Sequence, residues 1–239
     1  MGRRPNVDVG DIFAPDEDEL DLETAEMEDR RGRLFELWTK DSWAWMTGID
    51  VDGTPVLKTR DEVDRDRPIK PYPSYPYLRE YVKALRNERV LFVPKSRQMM
   101  VTLTTMLDSA HLCATVPAQR VLLSKGKEDD AFEILKDKVR FPWSQMPPWL
   151  QRQWRLEPRP KGVCEWKRTA SYIRGVTENV AASESRGGSA SRMIVDEAAW
   201  QDGLEDILTA ALPMQGQIVV LTTANIGCPG AECFKRYVL

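Results

Sequence analysis

Four short apolar runs constrain this chain more than anything else in it: Val90–Val93 (VLFV), Arg120–Ser124 (RVLLS), Arg192–Asp196 (RMIVD) and Gln217–Leu221 (QIVVL). Each is too short for a buried helix and lacks an alternating polar face, so each reads as a strand covered on both sides. Helical spacing fills the gaps. Leu103–Thr115 is one such segment, Lys127–Val139 sets Phe132, Leu135 and Val139 on one side, and Trp200–Leu212 stops at Pro213. Strand and helix in alternation predict an α/β domain whose central, mostly parallel sheet is flanked by helices.

The remaining segments append to that unit. Residues 1–30 hold 11 acids against 3 bases and are poor in aromatic residues. Asp16–Asp29 fits either a solvated helix or disorder, and the composition favours a disordered tail that orders on a partner. Residues 31–69 form an N-terminal helical and loop appendage. Leu34, Phe35, Leu37, Trp38, Trp43, Trp45 and Met46 give its helix an apolar face for packing onto the main domain, and Gly48–Arg67 is a loop or hairpin turning at Asp52-Gly53. Residues 70–239 then make the main domain. Lys70–Tyr77 (KPYPSYPY) is extended by its prolines and leads into a helix over Leu78–Asn87, its tyrosines offering either packing or a nucleobase contact. Phe141–Trp154 (FPWSQMPPWLQRQW) is expected as an irregular surface excursion, while Val163–Trp166 and Ser171–Val176 are two more strands joined at Lys167–Thr169.

Composition excludes several classes. No apolar run approaches the roughly 20 residues of a membrane span, and the first residues lack the apolar stretch of a secretory signal, which sets a cytosolic expectation. Cys113, Cys164, Cys228 and Cys233 form no C-x-x-C pair and have only His111 to join them, so buried thiols are expected rather than a zinc site. The net charge of −3 hides an asymmetry, because the body beyond residue 30 has 31 bases and 26 acids. A mildly basic body behind an acidic tail is compatible with a nucleic-acid partner.

Chemistry concentrates at the ends of the apolar runs. After Val90–Val93 and Pro94 comes a basic turn, Lys95-Ser96-Arg97-Gln98, then Met99, Met100, Val101 and Thr102 at the start of a helix. Strand, cationic turn and helix N-terminus together suit a phosphate. The usual pattern G-x-x-x-x-G-K-[ST] ending at Thr102 would need glycine at Lys95 and Met100 and lysine at Val101. Lys95 therefore supplies charge from the front of the loop, and Met100 carries a cost if its φ is positive. The run RMIVD ends in Asp196 and then Glu197, where α/β sheets bind ligands. Asp196 suits Mg²⁺ through water, and Glu197 suits orienting and deprotonating an attacking water. Thr222, Thr223 and Asn225 close the last run with groups that hydrogen-bond a terminal phosphate or its water. Just before the acid strand, Glu184–Ser191 (ESRGGSAS) is expected as a mobile turn presenting Arg186, a guanidinium suited to transition-state charge or simply to a neighbouring acid.

Taken in order, K-S-R-Q-M-M-V-T, S-R-G-G-S, I-V-D-E and L-T-T-A-N resemble the ATPase domain of the large terminase subunit of tailed bacteriophages, over about residues 70–239. The resemblance implies a P-loop NTPase fold of the additional-strand class. It also implies ATP and Mg²⁺ as cofactors, and ATP hydrolysis that drives double-stranded DNA through a portal into a procapsid. By position, Lys95–Thr102 match the phosphate loop, Thr102 and Asp196 the metal-holding residues, Glu197 the catalytic acid, and Thr222, Thr223 and Asn225 the coupling motif. Arg186 matches an arginine acting on a neighbouring subunit and Arg97 one acting in cis; which of them acts stays open, with Arg186 favoured. Implied partners are the portal and procapsid, the small terminase subunit and further copies in a ring, the isolated chain being monomeric, in the cytoplasm of the infected host and absent from the mature virion. Large terminases continue into an RNase H-like nuclease domain. None fits in the roughly 14 residues after Asn225, so no nuclease activity is expected of this chain. Two other readings remain: a superfamily-2-like nucleic-acid remodelling ATPase, and a nucleotide-binding docking module that does not hydrolyse.

Overall fold

A computed structural model describes residues 17–61, 64–158, 161–187, 190–213, 215–225 and 227–238. In chain order the elements are α1 (Glu17–Lys40), α2 (Ser42–Met46), β1 (Lys58–Arg60), β2 (Ile69–Pro71), α3 (Pro76–Asn87), β3 (Val90–Pro94), α4 (Val101–Thr115), β4 (Arg120–Lys125) and α5 (Glu128–Leu135). They continue through α6 (Phe141–Ser144), α7 (Pro148–Gln153), β5 (Val163–Trp166), β6 (Ser171–Thr177), α8 (Glu178–Gly187), β7 (Arg192–Asp196), α9 (Leu204–Ala211), β8 (Gln217–Thr222) and α10 (Pro229–Val238).

Six strands form one sheet in the order β3-β8-β7-β4-β6-β5. Every pairing is parallel except β5 with β6, which is antiparallel at the edge. Strand β8 thus lies between β3, which leads into the basic loop, and β7, which carries the acid pair. Three of the four apolar runs are interior strands, whereas Val90–Pro94 is an edge strand and only partly buried; in all four the side chains alternate between two cores. Leu123, Ile194, Val219 and Leu221 face the core beneath α3 and α4, whereas Leu122, Met193, Val195, Ile218 and Val220 face the core beneath α8–α10.

Several segments differ from the sequence expectation. Glu17–Asp29, where composition favours disorder, is the first half of α1, exposed from Thr24 through Arg30; residues 1–16 lie outside the described residues. The helical stretch expected over Lys127–Val139 changes to a π-helical turn at Lys136–Arg140. The Trp-rich segment Phe141–Trp154 is not a surface excursion. It folds into α6 and α7 and buries Trp143, Met146, Leu150 and Trp154. Pro148 starts α7, since the missing N–H is one that a helix start leaves unpaired, whereas α6 continues directly from the π-helical turn. Trp45 meets Trp154 edge-on at 5.8 Å and tilts against Trp143 at 5.5 Å, which fastens the N-terminal appendage to the main core. Each such pair is worth about 0.5–1.5 kcal/mol beyond its buried area.

A buried polar network reinforces the same junction. Asp108 on α4 accepts from Arg192 Nη1 at 2.9 Å, from Arg86 Nε at 2.8 Å and from Ser42 Oγ at 2.7 Å. Arg86 Nη2 also lies 2.9 Å from His111 Nδ1, and His111 Nε2 lies 2.6 Å from the Trp38 carbonyl oxygen. A guanidinium only donates, so Nδ1 accepts, and the ring proton sits on Nε2 and points at Trp38. Cys113, Cys164 and Cys233 are buried, and burial raises the pKa of each thiol, that of Cys164 to about 11.

Candidate active site

The candidate site forms where β3, β8, β7 and β4 end side by side. Strand register aligns Pro94 with Thr222 and Asp196 with Leu221, so the loop after β3 and the acids after β7 flank the end of β8. Lys95 N donates to Thr222 O at 2.8 Å, which carries the ladder one residue past the strand. The Lys95 side chain then crosses in front of β8 to the acids. Its Nζ is 3.1 Å from Glu197 Oε1 and 3.8 Å from Asp196 Oδ1, and the side chain is 9% exposed. Thr102, in the first turn of α4, donates from Oγ1 to Asp196 Oδ1 at 3.0 Å. On the far side Lys125, the last residue of β4, holds Asp196 Oδ2 at 3.2 Å.

Glu197 is fixed from both sides. Thr223 Oγ1 donates to its Oε2 at 2.8 Å, opposite the contact with Lys95. Burial pulls the Glu197 pKa upward, but the Thr223 hydroxyl and the Lys95 ammonium outweigh it, and the net shift is downward. The group is therefore a carboxylate at neutral pH.

The loop is built with backbone strain. Gln98 (φ 63°) and Met100 (φ 55°) take the left-handed conformation, as does Glu197 (φ 55°). Non-glycine residues enter this region at a cost of roughly 1–2 kcal/mol. Met100 thus does occupy the positive φ that glycine holds in the usual pattern, and it accepts the strain. Val101 is buried against the core, so a lysine there would have to bury its stem and charge. Ser96, Arg97, Gln98 and Met99 are exposed on the loop.

Thr222, Thr223 and Asn225 divide their work. Only Thr223 reaches the acid pair. Thr222 Oγ1 accepts from Ala199 N at 3.0 Å, and Asn225 Nδ2 donates to Ala199 O at 3.1 Å, so both brace the single turn at Ala198–Trp200 that follows Glu197. Gln201 completes the brace by donating to Asp196 O at 2.8 Å and accepting from Ser124 Oγ at 2.9 Å. The stretch around Arg186 differs from expectation. Its backbone lies in the last turn of α8 rather than in a turn ahead of β7, because helical structure runs to Gly187. The Arg186 side chain and residues 188–189 lie outside the described residues.

Two open cavities meet at Lys95 and Gln98. One, of about 580 Å³, is lined by the loop through Leu103 together with Pro71, Pro73, Tyr75 and Lys138, which puts the proline-tyrosine segment at its wall. The other, of about 790 Å³, is lined by Arg97, Lys125, Glu197, Trp200 and Thr223. Sequence reasoning missed Lys125 and Gln201. Lys125 had a signal, as a cation at the end of an apolar run, but its pairing with Asp196 needs β4 beside β7. The donor set fits Mg²⁺: a carboxylate and a hydroxyl 3.0 Å apart are hard oxygen ligands. Among the described residues no three His, Cys, Asp or Glu side chains gather into a metal cluster, and Mg²⁺ characteristically takes one or two carboxylates and fills the rest with water and phosphate.

No protein-family model matches this sequence, and no curated protein matches it. Among solved structures, the chain resembles the large terminase of HK97 bacteriophage with a TM-score of 0.52 at 14% identity, over 71% of this chain and 37% of that one. It also aligns with the large terminase ATPase domain of a Thermus phage, with a TM-score of 0.47 at 14% identity, over 70% of this chain and 69% of that one. A third match is a large terminase from a thermophilic bacteriophage in complex with ADP, with a TM-score of 0.44 at 12% identity, over 64% of this chain and 39% of that one. The chain thus has the fold found in the HK97 large terminase and spans little more than a third of that protein's length.

Proposed function

We propose that this chain is the motor ATPase domain of a phage large terminase, hydrolysing ATP to drive double-stranded DNA into a procapsid. One observation carries the reading: Lys95, Thr102, Asp196, Glu197 and Thr223 converge from three separated segments at the ends of parallel strands, with β8 interposed. Neither a lone basic loop nor a lone acid pair would require that convergence.

The residues divide the chemistry as follows. The N-terminal N–H groups of α4 and the Lys95 ammonium bind the phosphates, and Lys95 exchanges its contacts with the acids for phosphate oxygens. Thr102 and Asp196 would hold Mg²⁺, which supplies neutralisation of phosphate charge when bound. Glu197, kept ionised, accepts the proton of the attacking water, and Thr223 holds the carboxylate in place. The contact of Thr223 with Glu197 also joins the catalytic acid to the end of β8, so a change at the terminal phosphate is felt in that strand. The cavity beside Pro71, Pro73 and Tyr75 receives the base and ribose. Arg97 lies on the loop beside the acid cavity, in a position to neutralise transition-state charge in cis, and Arg186 is kept for a contact in trans. The portal, the small terminase subunit and further copies in a ring are the partners this reading entails.

The test is phosphate release from ATP alongside equilibrium nucleotide binding. Glu197→Gln is expected to bind ATP within a few-fold of the parent and to lose turnover by at least about 100-fold. Unchanged turnover in Glu197→Gln would remove the assigned base, and no nucleotide binding by the parent chain would remove the ATPase reading.

A further inference from the structure

Lys125 belongs to none of the motifs that make up the site, yet it is one of the two ammonium groups on the acid pair. Ser124 pairs with Val195, so Lys125 stands beside Asp196 at the same edge of the sheet. Its Nζ is 3.2 Å from Asp196 Oδ2, and its side chain is 13% exposed. Asp196 Oδ1 is meanwhile shared by Thr102 and, at longer range, by Lys95. Two lysines and two carboxylates leave the cluster with no net charge, and both oxygens of Asp196 are already taken.

That arrangement conflicts with the role of Asp196 in a loaded site. A divalent cation held by Asp196 and Thr102 would repel both ammonium groups, including the one that Lys125 keeps on the other oxygen of the carboxylate. Lys95 has a destination, because its own loop cradles the phosphates. Lys125 has one as well, since it lines the cavity of about 790 Å³ that also contains Lys95, Arg97, Glu197 and Thr223. The ATPase reading puts the attacking water and the terminal phosphate on this side of the acid pair, where Glu197 and Thr223 line the cavity. The unbranched four-carbon stem of lysine lets the ammonium turn between the two without backbone movement.

We propose that Lys125 is a second phosphate-binding lysine, released from Asp196 when a nucleoside triphosphate enters with its divalent cation and transferred to the terminal phosphate. The inference rests on the ATPase reading above and adds a sensor to it. The cation loosens the pair with either nucleotide, but a diphosphate offers Lys125 no terminal group to take up, so the lysine remains with Asp196. The Asp196–Lys125 pair then marks the empty and diphosphate states, and its opening marks the triphosphate state.

The experiment is calorimetric titration of the full chain with a non-hydrolysable ATP analogue and, separately, with ADP, both in excess Mg²⁺. Lys125→Met keeps the stem and removes the charge. It is expected to weaken analogue binding about tenfold, the scale of one charge-assisted contact to phosphate, while ADP affinity changes by less than about twofold. Retained ADP binding also shows that the variant is folded. Lys125→Arg, which keeps a cation, is expected to recover part of the preference for triphosphate. Equal losses for analogue and ADP, or no loss for either, would overturn the proposal and leave the ATPase reading standing. Failure of the parent chain to bind either nucleotide would overturn both.

Discussion

Lowering the pH below about 6.5 should destabilise this protein through its single histidine. His111 is buried, donates from Nε2 to the Trp38 carbonyl and receives the Arg86 guanidinium at Nδ1. Burial, and then the charge of Arg86, lower its pKa from 6.5 to about 4, against a smaller upward pull from the Trp38 carbonyl. The folded state therefore binds the proton more weakly than the unfolded chain does. Stability is at its full value above the unfolded pKa of 6.5, falls as the pH drops below it, and levels off below about 4. By linkage the loss is about 1.4 kcal/mol at pH 5.5 and about 2.5 kcal/mol at pH 4.5, relative to pH 7.5 and above. Asp108, whose pKa falls to about 2 because Arg192 and Arg86 outweigh its desolvation, contributes only below its unfolded value of 3.8, so the two windows are separate. The assay is urea unfolding at pH 7.5, 6.5, 5.5 and 4.5 for the parent and His111→Gln. The parent should lose the stated amounts, and the variant, less stable at pH 7.5, should show a nearly flat profile down to pH 5. A flat parent profile, or an equal slope in the variant, would refute the assignment of a neutral, Nε2-protonated His111.

Three further outcomes follow from the same geometry. Lys95→Ala removes the cation that the loop after β3 sends to the acid pair and, on the proposed function, should weaken nucleotide binding at least about tenfold by equilibrium titration. Asp108→Ala strips the buried Arg192 of its carboxylate and should cost about 3–5 kcal/mol in denaturant unfolding, with the largest loss of hydrogen-exchange protection where α3, α4 and β7 meet. Gln98→Gly relieves a left-handed residue on the exposed loop; the relief of roughly 1–2 kcal/mol less roughly 0.5–1 for glycine's freedom in the unfolded chain gives a net gain near 0.5–1 kcal/mol, read as a shift in unfolding midpoint.

The sequence by itself determined most of the sheet and the edge at which the candidate residues meet. Runs such as RMIVD and QIVVL have only one comfortable environment, a strand buried on both faces, and polar residues at their ends must then lie along one sheet edge. Asp196, Glu197, Lys95 and Thr102 were legible for that reason, because strand ends in an α/β sheet are also where ligands bind. Local pattern misled where tertiary burial decides conformation. Pro and Trp in Phe141–Trp154 suggest an irregular surface when taken singly, but facing Trp45 and Trp166 they become core, since indole rings bury large apolar area. Which residues meet across the site was also a matter of strand order. Placing β8 between β3 and β7 sends Lys95 across to Glu197 and leaves Thr223, rather than Thr222 or Asn225, on the Glu197 carboxylate. Placing β4 on the other side of β7 brings Lys125 to Asp196 across a separation of 71 residues. Spacing along the chain carries no record of that neighbour, because strand order is set by how helices cover both faces of the whole sheet.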